Sequence, residues 1–122
     1  MEQNRLKEET LKLVKTAVSA IEEKKGEDVR VLDISKISSF ADYFIIAAGN
    51  NKKQVQTISD HVEEKLEKLG KNPSGIEGYP AASWILLDYS EFVIHIFSSE
   101  DRLFYDLERI WKDGILIDAA DL

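Results

Sequence analysis

The stretch "WILLDYSEFVIHIF", residues 84–97, decides how this chain folds. Two apolar runs flank a short polar pair, a pattern that predicts a β-hairpin with a two-residue loop at Ser90–Glu91. Such a loop fixes the register. It sets Tyr89 opposite Phe92, Leu87 opposite Ile94 and Ile85 opposite Ile96, a wholly hydrophobic face that needs a core. The other face then pairs Trp84 with Phe97, Leu86 with His95 and Asp88 with Val93. Its aromatics make it too apolar for idle surface, while an imidazole and a carboxylate make it too polar for a dry core. That second face is expected to stay open and to be covered by a partner.

Upstream, residues 4–25 place Leu11, Val14, Val18 and Ile21 at helical spacing, with Gly26 as the expected stop. "VRVLDI" (29–34) alternates as a strand does, and "YFIIAAG" (43–49) is continuously apolar, as in a strand buried on both sides. Asn50 or Asn51 is placed to cap a helix with the stripe Val55, Ile58, Val62, Leu66 and Leu69, ended by Gly70. Residues 71–83 hold both prolines and read as one long loop. Downstream, 98–114 reads as a capped helix with Leu103, Leu107 and Ile110 on one side, and "ILID" as an edge strand or a tail. This order predicts an α/β domain spanning 1–122, with a mixed sheet of about four to five strands and helices packed mainly on one face.

Sixteen basic against twenty-three acidic residues give a net charge of −7. Residues 77–122, with ten acids against three bases, carry that whole excess. An acidic surface of this kind repels phosphate backbones, so sequence-specific nucleic-acid binding is not expected. On composition alone solubility is the first reading of this charge, and the sharper alternative is an acidic patch that steers a basic protein partner. No apolar run is long enough for a membrane span, and the charged N-terminus has no signal-peptide core. The chain has no cysteine, which excludes disulfides and thiolate metal sites and fits a cytoplasmic location.

Candidates for chemistry are few. The turn Gly49–Lys53 joins a strand to a helix, where backbone amides often cradle phosphate, but it lacks the further glycines of a phosphate loop. A tight turn explains the same residues. His95 is within diagonal reach of Asp88 on the hairpin, a pair that serves structure or recognition unless a nucleophile or substrate site stands beside it. His61 sits on a charge-rich helix and reads as solvated surface. No metal-ligand motif and no cofactor motif is present.

The segments "DISKISSFADYFIIAAGNNKKQVQTISDHV" (33–62) and "EGYPAASWILLDYSEFVIHIFSSEDRLFYDLERIW" (77–111) resemble the ribosomal silencing factor, or Iojap-related, family. The resemblance rests on Asp33-Ile34-Ser35, Ala41-Asp42-Tyr43-Phe44, Gly49, Gln54-Val55, Glu77-Gly78, Trp84, Asp88-Tyr89, His95-Ile96-Phe97, Arg102 and Tyr105-Asp106-Leu107-Glu108. The chain departs at Ser90-Glu91, where Gly-Asp is common, and at Asn51, where serine is. The resemblance implies a frame similar to nucleotidyltransferases without their catalytic carboxylates. It also implies a non-enzymatic translational repressor that binds protein fourteen of the large ribosomal subunit and blocks subunit joining, and a homodimer. Partner contacts are then expected at Trp84, Leu86, Asp88, His95, Phe97, Glu100 and Tyr105. Two alternatives remain. One is a nucleotide-acting enzyme using the Gly49–Lys53 turn and the Asp88/His95 pair, and the other a homodimer that covers the Trp84 face with itself.

Overall fold

A computed structural model of the chain describes residues 2–39, 41–99 and 115–117, with side chains from residue 8 onward except at 115 and 116. The hairpin is formed by β4 (Trp84–Asp88) and β5 (Phe92–Ser98), in the register that the two-residue loop dictates. Around it lie α1 (Glu2–Glu23), β1 (Glu27–Asp33), β2 (Tyr43–Gly49), α2 (Lys52–Lys68), β3 (Gly75–Glu77) and β6 (Ile115–Ile117). Among the described residues the sheet has six strands in the order β3-β4-β5-β2-β1-β6. Only β2 and β5 run parallel; the other neighbours are antiparallel.

The sheet is wider than the four to five strands expected because Gly75–Glu77, read as loop, pairs with β4 as a short edge strand. The trailing "ILI" pairs with β1 on the opposite edge. The helix expected over 98–114 falls almost wholly outside the described residues.

Both described helices pack on one face. Val14, Ala17, Val18 and Ile21 of α1 and Val55, Ile58, Val62 and Leu66 of α2 close over Val31, Ile45, Ala47, Ile85, Leu87, Ile94 and Ile96. Strand β2 is buried along its whole length, as its unbroken apolar run predicts. Asn51 caps α2 by accepting the Gln54 amide at 2.8 Å. Two corrections concern helix ends. Leu69 does not extend the α2 stripe: it is the C-cap, 56% exposed, ahead of a Schellman turn in which Gly70 N–H reaches Glu67 O and Lys71 N–H reaches Leu66 O. After α1 the left-handed residue is Lys25 (φ 62°) rather than Gly26, which is required because a Cβ there would overlap Ile21.

The other face of the sheet is not open. Phe44, Ile46, Val93, His95 and Phe97 on it are buried, and Leu32, Ile34 and Ala41 extend the same cluster toward the β1–β2 connection. Solvent reaches this face toward its two ends: on the β4 side, where Trp84, Leu86 and Asp88 are half-buried and Glu77 of β3 is exposed, and on β1 at the exposed Arg30.

Candidate partner-binding site

Strand alternation carries Glu77, Leu86, His95, Ile46 and Arg30 across one row of this second face, with Trp84 and Phe97 paired in the next. His95 therefore lies in the middle of the sheet, 3% exposed and ringed by aromatics. Phe44 meets it edge-on with centroids 4.7 Å apart, and Phe97 lies near-parallel at 6.4 Å. The Trp84 indole stacks on Phe97 at 5.4 Å and 20°, and its Nε1–H donates to His95 Nδ1 at 3.1 Å. This bond assigns the ring proton to Nε2. That nitrogen is buried and has no acceptor among the described residues. Desolvation pulls the His95 pKa down to about 4, so the ring is neutral at physiological pH.

The backbone beneath the indole is equally constrained. Gly78 adopts φ 80° and lies so close to β4 that a Cβ would overlap the Trp84 carbonyl oxygen. Gln56 donates to Tyr79 O at 2.9 Å and Tyr79 donates to Asp60 at 3.0 Å, which ties the β3–β4 connection to α2. Ser98 N–H reaches Ser83 O at 3.0 Å and continues the hairpin ladder past Trp84. Glu77, Gly78, Trp84 and Leu86 then line a surface groove of about 230 Å³.

The proposed acid–base pair does not form. Asp88 Oδ1 accepts the Ser90 amide at 2.9 Å, an Asx-type contact that shapes the hairpin loop, while His95 faces Trp84. The Gly49–Lys53 turn is also filled from within. Gln54 Oε1 takes the Asn50 amide at 2.6 Å, Asn51 takes the Gln54 amide, and Gln54 Nε2 reaches the carbonyls of Lys24 and Lys25. Gly49 is needed there because Val55 approaches to 3.0 Å of the Cβ it lacks. His61 is not solvated surface: its Nε2 meets Glu23 Oε1 at 2.8 Å and joins α2 to α1, which holds Glu23 below the usual carboxylate value. Among the described residues no three His, Cys, Asp or Glu side chains converge to hold a metal, and no helix is long and apolar enough to cross a membrane.

The family model described as ribosomal silencing factor during starvation matches residues 7–122. The chain belongs to the ribosomal silencing factor family. It is 38% identical over 106 residues to ribosomal silencing factor RsfS of Bacillus subtilis, covering 87% of this chain and 90% of that one. A crystal structure from Chromobacterium violaceum superposes with a TM-score of 0.81 at 33% identity, covering 84% of this chain and 85% of that one. A more distant relative, mitochondrial assembly of ribosomal large subunit protein 1 of the mouse, is 26% identical over 97 residues, 77% of this chain and 42% of its own length.

Many residues that carry the silencing-factor resemblance have structural duties. Asp33 accepts the amide and hydroxyl of Ser35, and Asp42 N–H reaches Glu91 O, fixing the connection between β1 and β2. Gln54 and Gly49 build the α2 entry, and Asp88 the hairpin loop. Of the expected contact residues, Trp84, Leu86 and Asp88 share the exposed corner. His95 and Phe97 lie beneath it, where they hold the indole and do not meet solvent. Glu100 and Tyr105 are outside the described residues. Glu77 and Gly78, absent from the expected set, line the groove; their place in the resemblance was the available signal.

Proposed function

We propose that this chain silences translation by docking on the large ribosomal subunit and obstructing the small one. The carrying observation is the Trp84 corner, where a half-buried indole is held by His95 and Phe97 beside an acid-lined groove. An immobilised central aromatic with charge at its rim is how protein interfaces concentrate affinity. The large ribosomal subunit appears in the mouse relative's name, which supports that subunit as the target. The partner we assign there is ribosomal protein fourteen, on the face that meets the small subunit. Trp84 and Leu86 form the apolar centre, Asp88 the adjoining charge, and Glu100 and Tyr105 further contacts. The action is occlusion by bulk, in the cytoplasm, with no catalytic step and no cofactor.

Cosedimentation with isolated large subunits tests this directly. Trp84→Ala is expected to lose about 2 kcal/mol or more of binding, roughly thirtyfold in affinity, and to restore subunit joining. Full repression by a folded Trp84→Ala chain would place the interface elsewhere. The nucleotide-enzyme alternative loses its paired residues, since Asp88 and His95 are engaged separately, and in the Gly49–Lys53 turn the Asn50 amide is already taken by Gln54. Pairing of two copies has less apolar surface to draw on than the sequence suggested, because most of the Trp84 face is already buried. Light scattering of the free chain measures whether it pairs.

A further inference from the structure

The groove beside Trp84 has a composition that selects its occupant. One wall is the indole, whose only polar hydrogen is committed inward to His95, so what it offers a ligand is ring surface. Leu86 adds a half-buried aliphatic side chain, and Gly78 leaves the floor without a side chain. The remaining wall is Glu77, exposed on the edge strand β3, in register with Leu86 and on the same sheet face. Its carboxylate forms no ion pair with any described residue. The volume, about 230 Å³, equals roughly seven or eight waters at about 30 Å³ each, room for a guanidinium and the methylenes behind it.

From this arrangement we infer that the groove is a subsite for an arginine side chain of the protein partner, stacked on Trp84 and paired with Glu77. A flat, weakly hydrated cation can lie on an aromatic face while its N–H edge meets a carboxylate in two parallel bonds. An ammonium is compact and strongly hydrated and lacks the planar fork, so it matches an aromatic face and a carboxylate together less well than a guanidinium does. One carboxylate beside an indole and a leucine is also too poor in oxygen for a hard metal ion. The net charge of −7 attracts a basic partner, and at this corner the exposed Glu77 supplies the carboxylate that would meet it. The inference rests on the proposed docking for the partner's identity; the chemistry of the groove stands independently of it.

The test has two arms. In the first, N-acetyl-arginine amide is titrated into the whole chain, with N-acetyl-citrulline amide as the uncharged control of near-equal shape. Amide and indole resonances are followed by NMR. Saturable shifts at Gly78, Trp84 and Leu86 are expected with the arginine derivative alone, and are expected to vanish in Glu77→Gln. Equal response to both compounds, or no saturable response, overturns the subsite. In the second, Glu77→Gln is compared with wild type for binding to isolated large subunits. The expected loss is roughly fivefold to tenfold, with a shallower dependence on salt. Undiminished binding by Glu77→Gln overturns the use of the groove while leaving docking intact. If wild type itself fails to bind, the docking proposal falls and the first arm still decides the groove.

Discussion

The helix-covered face of the sheet and its Trp84 face are made by the same strands in alternation, yet they are held together differently. The first is aliphatic and saturated, with Ile45, Ile85, Leu87, Ile94 and Ile96 packed against α1 and α2. The second is aromatic, and its central polar side chain, His95, orients the ring that reaches solvent. Each face buries polar atoms without partners among the described residues, Tyr89 Oη and Ser59 Oγ on the first and His95 Nε2 on the second. The difference is titration. Burial pushes the Tyr89 hydroxyl up, away from any acid transition, whereas His95 is pulled down into one. One face supplies stability, and the other converts stability into a fixed surface ring.

The sharpest break between the faces is expected from truncating one residue of each. Ile94 is fully buried in β5 between β4 and β2, on the sheet face that the helices cover, so Ile94→Ala leaves a cavity in the core. Roughly 4 kcal/mol is expected to be lost, a large share of a typical domain's stability. Leu86 already meets solvent, and Leu86→Ala should lose only about 1 kcal/mol while weakening binding to large subunits. Urea unfolding of both variants measures the contrast. Equal losses would mean that the second face carries as much of the fold as the first.

The next contrast is in pH. Above pH 6.5 His95 is neutral in both folded and unfolded chains, so it contributes no slope. Between 6.5 and about 4 the unfolded chain takes up a proton that the folded chain refuses, and stability falls as pH falls. Below about 4 both forms are protonated and the loss is complete, at about 3 kcal/mol for a shift of this size. His95→Phe keeps a ring of similar bulk and removes both the titration and the unpaired donor. Its stability is expected to lack this loss, while its Trp84, without an acceptor, loosens and binds large subunits less well. His95→Asn, which can present an acceptor near the Nδ1 position, should recover part of the indole N–H shift seen by NMR. Identical pH slopes for wild type and His95→Phe would remove His95 as the titrating group.

Which parts of this were legible in the sequence follows from the range of each interaction. Loop length and alternation are local, so the hairpin register, the α1 stripe, the α2 stripe as far as Leu66 and a cap at Asn50 or Asn51 could be read from neighbours alone. Strand β3 could not, because three residues beside a proline have no periodicity and pair only once β4 is in place. The covering of the second face was missed for a related reason: nothing in "WILLDYSEFVIHIF" says how far Leu32, Ile34 and Ala41 extend across the sheet. Asp88 and His95 were correctly placed on one face but wrongly joined. Diagonal neighbours can touch, and the choice between them was made by the Ser90 amide and the Trp84 indole, each a closer partner.

The smallest effect expected lies where the two faces share a hinge point. Ser90 is exposed at the hairpin tip with φ 73°, and Glu91 N–H returns to Tyr89 O at 2.9 Å, closing a γ-turn around it. The form of this turn with positive φ at its centre is the strained one. For an L-residue that backbone costs roughly 1–2 kcal/mol, and glycine avoids most of it while losing more entropy on folding. Ser90→Gly should therefore stabilise the chain by about 0.5–1 kcal/mol. Tyr89 N–H to Phe92 O and Asp42 N–H to Glu91 O anchor both sides of the tip, so the relief should tighten the hairpin as a whole. The side chain of Ser90 belongs to neither face, and the Trp84 resonances and large-subunit binding should not change. A gain in unfolding free energy accompanied by shifted Trp84 signals would show that the loop sets the tilt of β4, and that the two faces are not independent.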